Sequence, residues 1–449
     1  MKTVITYGTF DLIHHGHYRL LERARDLGDR LIVGVTSESY DANRGKLNVK
    51  QALVERIEAV KATGLADLVV VEEYEGQKIE DIQRYGVDKF AIGSDWAGKF
   101  DYLSRYCEVI YLDRTRDISS TKQRSLLHGL LRVGIIGTGR IADRFVRESR
   151  FVSGFNVEGV CSRTTRGASE FGNRNELALA TTDMSELLSK VDAVYIATPH
   201  SLHYEQAMQA LAADRHVLCE KPMTLEPDQT RQLYARAEHA GLTILEAIKT
   251  AYAPGFLRLV SLVHGGAIGS IRSLDAAFTR LAPTGLRETS RGYASGSLTE
   301  MGSYVLLPAA KLLGTHHKSM DIFSVLEEEG SYDTFSRITV QYDNAVATGT
   351  VGLGTKTDGR LTIAGTSGYI VVPAPWWKTS YFEIRREDPD DLQRVSLPFE
   401  GDGLRYEIAE FLKCINSGTS TSFKLSADES AFVQTGIALS PTLAIGGAR

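Results

Sequence analysis

Twice along this chain an apolar strand runs into a glycine-bearing turn that opens a helix: VITYGTFDLIHHGH at 4–17 and LRVGIIGTGRIA at 131–142. Each start is followed by strand-like runs that alternate with helical patterns, which predicts doubly wound α/β layers of buried parallel strands. The first run comprises VITYG (4–8), LIVGV (31–35), LVVVE (68–72), KFAIG (89–93) and EVIYL (108–112), with helical stretches at 17–28 and 54–64. The second comprises LRVGIIG (131–137), NVEGVCS (156–162), AVYIAT (193–198), HVLCE (216–220) and LTILEA (242–247). Residues 122–131 read as a short helical joint. After about residue 250 the period changes to two, in stretches 273–282, 336–354, 359–373 and 380–387. That predicts an antiparallel or mixed sheet with one covered face. The expected domains are 1–128, 129–250 and 251–449, with the last an α+β open-sheet domain.

Bulk properties remove several classes of function. The formal net charge of −5 argues against nucleic acid as a partner. No run of about 18 apolar residues predicts a membrane span. The N-terminus enters a strand directly, without a basic and then apolar leader, so a cytoplasmic protein is expected. The four cysteines, Cys107, Cys161, Cys219 and Cys414, are widely spaced and form neither a zinc pattern nor a disulfide framework.

The first turn carries His14-x-Gly16-His17 where a helix begins. Helix N-termini attract phosphate through free N–H groups and the helix dipole. Imidazoles three residues apart share one face of that first turn and can stabilise charge developing on a triphosphate. A second phosphate-binding pattern, RTRDISST at 114–121, opens another helix with hydroxyls and an arginine. Together with GSDWAGKFDYL at 93–103, these motifs resemble the glycerol-3-phosphate cytidylyltransferase family over residues 1–128. The resemblance implies CTP and a polyol phosphate as substrates, magnesium with the CTP, and a CDP-polyol and pyrophosphate as products. It implies catalysis by His14, His17 and Lys46. It implies CTP contacts from Thr9, Phe10, Asp11, Gly16, Asp95, Trp96, Arg114, Thr115, Ile118, Ser119, Ser120 and Thr121, with Asp11 near the metal and the acceptor. No protein metal cage is expected. Where the family has an arginine for the acceptor phosphate, this chain has Gly64, three residues before Asp67. Lys61 or Lys78 is the cation left to take that phosphate, or the acceptor differs in length.

Gly137-x-Gly139-x-x-Ala142 follows a strand and precedes a helix, the context that makes such a pattern a dinucleotide site. The next strand ends in Ser162-Arg163 rather than an acidic residue, which favours NADP and leaves NAD possible. Further on, ATPHSLHYEQAMQAL (197–211) and HVLCEKPMTL (216–225) resemble the dehydrogenase family that includes glucose–fructose oxidoreductase and inositol dehydrogenase. The resemblance implies a Rossmann domain plus an open-sheet domain, and a homo-oligomer. It implies cofactor contacts from Gly137, Thr138, Gly139, Arg140, Ile141, Ser162, Arg163, Thr198, Pro199, His203, Glu220, Lys221 and Pro222. Lys221 would polarise a carbonyl or shuttle a proton, and Pro222 would set a turn, cis in some members. The family's D-x-G-x-[HY] segment appears as Glu300-x-Gly302-x-Tyr304, which makes Tyr304 the second catalytic candidate. Lys249, Arg287 and Arg291 are candidates for substrate binding. With Arg280, the arginines of 280–291 suggest either a phosphate loop or a solvated basic loop. Small molecules are thus the expected partners. Two catalytic halves on one chain suggest consecutive steps: NADPH-dependent reduction of a ketose phosphate, in the preferred case a pentulose 5-phosphate, to a polyol phosphate, then CTP-dependent cytidylyl transfer to that product. The alternatives are a dehydrogenase acting on the CDP-linked product, or one half serving only for binding or oligomerisation.

Overall fold

The structure, a computed structural model, describes residues 1–13, 15–43, 46–47, 49, 51–112, 130–283, 285–289, 294–327, 332–441 and 443. The expected joint at 122–131 therefore lies almost entirely outside the described residues. The chain divides into two compact units. One comprises 1–132, 149–159 and 169–180; the other comprises 133–148, 160–168 and 181–449.

The first sheet has five strands: β1 (Thr3–Gly8), β2 (Arg30–Thr36), β3 (Leu68–Glu72), β4 (Lys89–Gly93) and β5 (Glu108–Leu112). They are parallel, in the order β3-β2-β1-β4-β5. Val4, Leu31, Val33, Val35 and Ala91 pack with Phe10 and Leu21 on one face, and Ile5, Ile32, Phe90 and Ile92 build the core of the other. Burial on both faces explains the near-continuous apolar runs in these strands. Strand order reverses between β1 and β4, so a crevice opens beyond their C-terminal ends.

The second sheet contains β6 (Leu131–Ile136), β7 (Phe155–Cys161), β8 (Leu179–Thr181), β9 (Ala193–Ile196), β10 (His216–Glu220) and β11 (Ile244–Ala247), in the order β11-β10-β9-β6-β7-β8. Its switch point lies between β6 and β9, at the glycine turn. The third sheet is mixed and has eight strands: β12 (Ile271–Thr279), β13 (Ser319–Leu326), β14 (Asp333–Gln341), β15 (Val346–Gly352), β16 (Leu361–Gly365), β17 (Gly368–Val372), β18 (Tyr381–Arg385) and β19 (Leu392–Ser396). The order is β13-β14-β15-β12-β16-β17-β18-β19, with β12 and β15 parallel and the other neighbours antiparallel. The long helix Ser297–Leu313 covers one face. At Gly349 an added Cβ would lie 2.8 Å from Val305, so the absent side chain lets helix and sheet approach closely. Edge strand β13 exposes Phe323, Val325 and Leu326. No helix among the described residues is long and apolar enough to cross a membrane.

Candidate active sites

In the first unit, β1 delivers Gly8, Thr9, Phe10 and Asp11 to the switch-point crevice, and the helix His15–Arg25 starts there. Phe10 and Leu12 hold left-handed backbone angles (φ 49° and 47°), an uncommon conformation that clusters at functional turns. Phe10, expected at the nucleotide, is wholly buried in the core; its ring meets His17 edge-on at 5.4 Å and supports that imidazole. Gly16 is exposed on the first helical turn. The Asp11 carboxylate accepts the Gln51 N–H at 2.9 Å. Trp96 follows β4 on the short turn Ser94–Trp96, 5.9 Å from the Phe100 ring and 4.7 Å from the Lys99 ammonium. Lys46 donates to the Arg150 carbonyl at 2.6 Å within the same unit.

A buried brace that the sequence reading missed holds this crevice. Arg56, fully enclosed, donates to the carbonyls of Thr9 and Thr36 (2.8 Å each) and to Asp41 (3.2 Å). Asp41 in turn accepts the hydroxyls of Thr9 (2.8 Å) and Thr36 (2.7 Å). The ends of β1 and β2 are thereby tied to the helix Leu53–Ala62. Lys78, expected to read the acceptor, is buried and ion-paired with Glu72, with its ammonium 4.6 Å from the Tyr7 ring centroid. Its charge is satisfied inside the core rather than offered at the surface. Gly64 ends the helix Leu53–Ala62 in a left-handed turn (φ +70°), and nothing lies within 4 Å of where a Cβ would stand. His14, Arg114, Thr115, Ile118, Ser119, Ser120, Thr121 and the side chain of Asp95 lie outside the described residues. Among the described residues no group of three His, Cys, Asp or Glu could hold a metal ion. Magnesium keeps phosphate oxygens and waters as ligands with one or two carboxylates, so Asp11 fits a metal that arrives with the triphosphate.

In the second unit, Gly137 ends β6 with φ +111°, and a Cβ there would lie 2.5 Å from the Ala197 carbonyl oxygen. Gly139 has open space around it, the cradle a pyrophosphate requires. Thr138 and Ser162 bring their hydroxyls within 3.3 Å, with Ile141 half-buried behind them and Arg163 exposed at the end of β7. Thr198 bonds Gln206 at 2.6 Å, and Pro199 is exposed. His203, expected at the cofactor, has no exposed surface. It is fully buried, with one ring nitrogen 2.8 Å from the Pro222 carbonyl and the other 2.9 Å from the Thr198 carbonyl, and the neutral ring donates to one of them. Burial pushes its pKa down to about 4.

Lys221 sits at the end of β10 before a cis Pro222. Its ammonium donates to the Glu300 carbonyl at 2.8 Å, lies 3.3 Å from the Glu300 carboxylate, and stands 5.8 Å from the Tyr304 ring centroid. Glu220 points inward, accepting the Tyr195 hydroxyl at 2.6 Å and the Lys221 N–H at 3.1 Å; burial raises its pKa. Tyr304 lies against Phe278 (5.2 Å), which stacks on Trp377 at 3.6 Å. Burial, then the charges of Glu220, Glu407 and Glu300, push the Tyr304 phenol well up, so it stays protonated as a donor.

Among the described residues of 280–291, both arginines are tied to carboxylates. Arg280 is ion-paired with buried Glu288, and Arg140 reaches the same carboxylate at 3.2 Å. Arg287 donates to Glu300 at 3.1 Å and lies 3.2 Å from His200. His200 was not singled out from the sequence, although it sits three residues before His203. Arg291 lies outside the described residues. Lys249 is half-buried, and its ammonium donates to the Asp402 carbonyl at 2.8 Å.

Comparison with known proteins finds separate families along the chain. Residues 5–128 match the cytidylyltransferase-like family model. Residues 131–247 match the oxidoreductase family with an NAD-binding Rossmann fold, and 256–371 match the GFO/IDH/MocA C-terminal domain. Glycerol-3-phosphate cytidylyltransferase of Bacillus spizizenii is 49% identical over 122 residues, 27% of this chain and 94% of that enzyme. The scyllo-inositol 2-dehydrogenase (NADP(+)) IolU of Bacillus subtilis is 29% identical over 327 residues, 68% of this chain and 92% of that enzyme. Among solved structures, KijD10, a 3-ketoreductase from Actinomadura kijaniata in complex with NADP and TDP-benzene, superposes with a TM-score of 0.60 at 25% identity. It covers 69% of this chain and 96% of its own. The chain therefore belongs to two families in series, a cytidylyltransferase at its N-terminus and a GFO/IDH/MocA-type NAD(P)-dependent oxidoreductase after it.

Proposed function

We propose that this chain makes a CDP-polyol in two steps. The oxidoreductase half reduces a ketose phosphate, in the preferred case a pentulose 5-phosphate, to a polyol phosphate. The N-terminal half then joins that product to the cytidylyl group of CTP and releases pyrophosphate. The carrying observation is the Lys221–Glu300–Tyr304 cluster beside the dinucleotide turn, on the same chain as a cytidylyltransferase. The glycine turn with Ser162 and Arg163 would hold NADPH, which when bound would supply the hydride for the ketone carbon. Lys221 polarises the carbonyl oxygen, and Tyr304 gives its proton to the alkoxide as it forms. Glu300 holds the Lys221 ammonium in position through its carbonyl and its carboxylate. NADP is preferred over NAD because Ser162 and Arg163 end β7, and both IolU and KijD10 are named with NADP. In the first site His14, His17 and Lys46 stabilise the phosphoryl being transferred, with no covalent intermediate. Gly64 supports an acceptor other than glycerol 3-phosphate. Such a product would feed a wall polymer or capsule. The exposed apolar side chains of β13 support a homo-oligomer, a dimer in the simplest case, working in the cytoplasm.

One observation favours a second reading. KijD10 is described with a nucleoside-diphosphate ligand, TDP-benzene, which supports an oxidoreductase half that acts on the CDP-linked product. A single coupled assay separates the two. The enzyme is mixed with NADPH, CTP and magnesium, and a panel of ketose phosphates is supplied while nicotinamide absorbance and pyrophosphate are followed together. One compound driving both signals is the expected result. Pyrophosphate release only with preformed polyol phosphates, with NADPH oxidised only after CDP-polyol is added, would replace the first reading by the second.

A further inference from the structure

Beside Tyr304, a group of cations outside the expected arginine loop meets a single carboxylate. Lys378, on the short turn Trp376–Lys378, lies 3.5 Å from Asp402, and Arg144, on the helix Arg140–Ser149, lies 3.8 Å from its other oxygen. Lys249 donates to the Asp402 backbone carbonyl at 2.8 Å. The two side-chain separations exceed the 2.7–2.9 Å or so of a tight charge-assisted hydrogen bond. Asp402 thus collects these cations loosely, and Lys378, Arg144 and Asp402 all keep about a third or more of their side-chain surface exposed.

The other acids nearby are committed elsewhere. Glu148 is held by Arg405 through paired bonds of 3.0 and 2.9 Å. Glu300 belongs to Lys221 and Arg287. Glu220 accepts the Tyr195 hydroxyl and the Lys221 N–H, and Glu407 is fully enclosed, where burial pushes its pKa well up. Three cations thus meet at one partly exposed carboxylate, an excess of positive charge that suits the dianion of a phosphate monoester. The crowding is felt within the cluster, where burial and then Lys378 lower the pKa of Lys249. An arriving dianion relieves that repulsion. The cluster is also continuous with the reaction centre: the Arg144 charge acts on the Tyr304 phenol, and Trp377, next in the chain to Lys378, stacks on the Phe278 that touches Tyr304.

We propose that Lys249, Lys378 and Arg144 form the phosphate subsite of the oxidoreductase half, taking the dianionic phosphate of a phosphorylated ketose whose carbonyl lies at Lys221 and Tyr304. Asp402 holds the three cations in place until the phosphate arrives. This subsite rests on the ketose-phosphate reading above, and its test separates the two. Inorganic phosphate is titrated calorimetrically into the full chain with NADP and saturating CTP present, and into Lys378→Met and Arg144→Met. In parallel, the kcat/KM ratio between a ketose phosphate and the unphosphorylated ketose is measured. Both substitutions lie on partly exposed side chains, so folding is retained where Lys249→Met could lose it. Each is expected to weaken phosphate binding and to lower the ratio by about tenfold, the worth of one charged hydrogen bond. Unchanged phosphate binding and an unchanged ratio in both variants overturn the subsite, even if wild type reduces ketose phosphates. Variant-sensitive phosphate binding without NADPH oxidation by any ketose phosphate upholds the subsite and overturns the ketose-phosphate reading.

Discussion

Glu300 shows how much one side chain organises in the second site. Its carboxylate lies within 3.3 Å of Lys221 and 3.1 Å of Arg287, and 3.7 Å from His200. The sequence marks Glu300 only as a longer stand-in for aspartate; the extra methylene carries meaning once those three partners are seen. His203 illustrates the opposite case, a residue expected at the cofactor that is wholly buried. Its pKa falls from 6.5 to about 4 through burial. The folded value lies below the unfolded one, so the unfolded chain binds the additional proton between those limits. The stability contributed is complete above about pH 6.5 and declines by about 3 kcal/mol as pH drops towards 4. His203→Gln lacks this titration. The gap in melting temperature between wild type and that variant is therefore expected to narrow steadily from pH 7 to pH 4.5. A constant gap would show that His203 is not held neutral.

Among the elements, the two glycines of the dinucleotide turn do different work. Gly137 needs a left-handed backbone and has Ala197 against it, whereas Gly139 is open. Gly137→Ala is expected to cost about 1–3 kcal/mol of backbone strain plus the clash, visible as a lower melting temperature of the free protein. Gly139→Ala should leave that melting temperature unchanged and weaken NADP binding, measured by nucleotide fluorescence. Equal effects of the two on melting would contradict the geometry. The strands of the first two sheets were legible because burial on both faces forces apolar runs. The long 336–354 stretch was not legible as a hairpin; it divides into β14 and β15 around a turn near 342–345. Short β8 and the edge strands β13 and β19 escaped because exposed or brief strands carry little apolar signal. The Arg56 brace was equally hidden, since its partners lie 15 to 47 residues away in the chain.

At the level of the whole molecule, a cytidylyltransferase domain in series with an oxidoreductase domain predicts separable activities. His17→Ala should abolish pyrophosphate release and leave hydride transfer in place; Lys221→Met should do the reverse. If either substitution silences both reactions in folded protein, the two-site description is wrong. The order of the elements, the two glycine turns and the motifs H-x-G-H, E-K-P and E-x-G-x-Y are local patterns, so the sequence alone determined that this is a cytidylyltransferase followed by an oxidoreductase. Where charges balance is a long-range property of packing. Only the tertiary structure decided that Lys78 is satisfied by Glu72 and that Arg280 and Arg287 are tied to Glu288 and Glu300. It alone left Lys249, Lys378 and Arg144, more than 230 residues apart at the extremes, around one carboxylate. Ion pairing depends on distance in space and on desolvation, and neither is written in the spacing of residues along the chain.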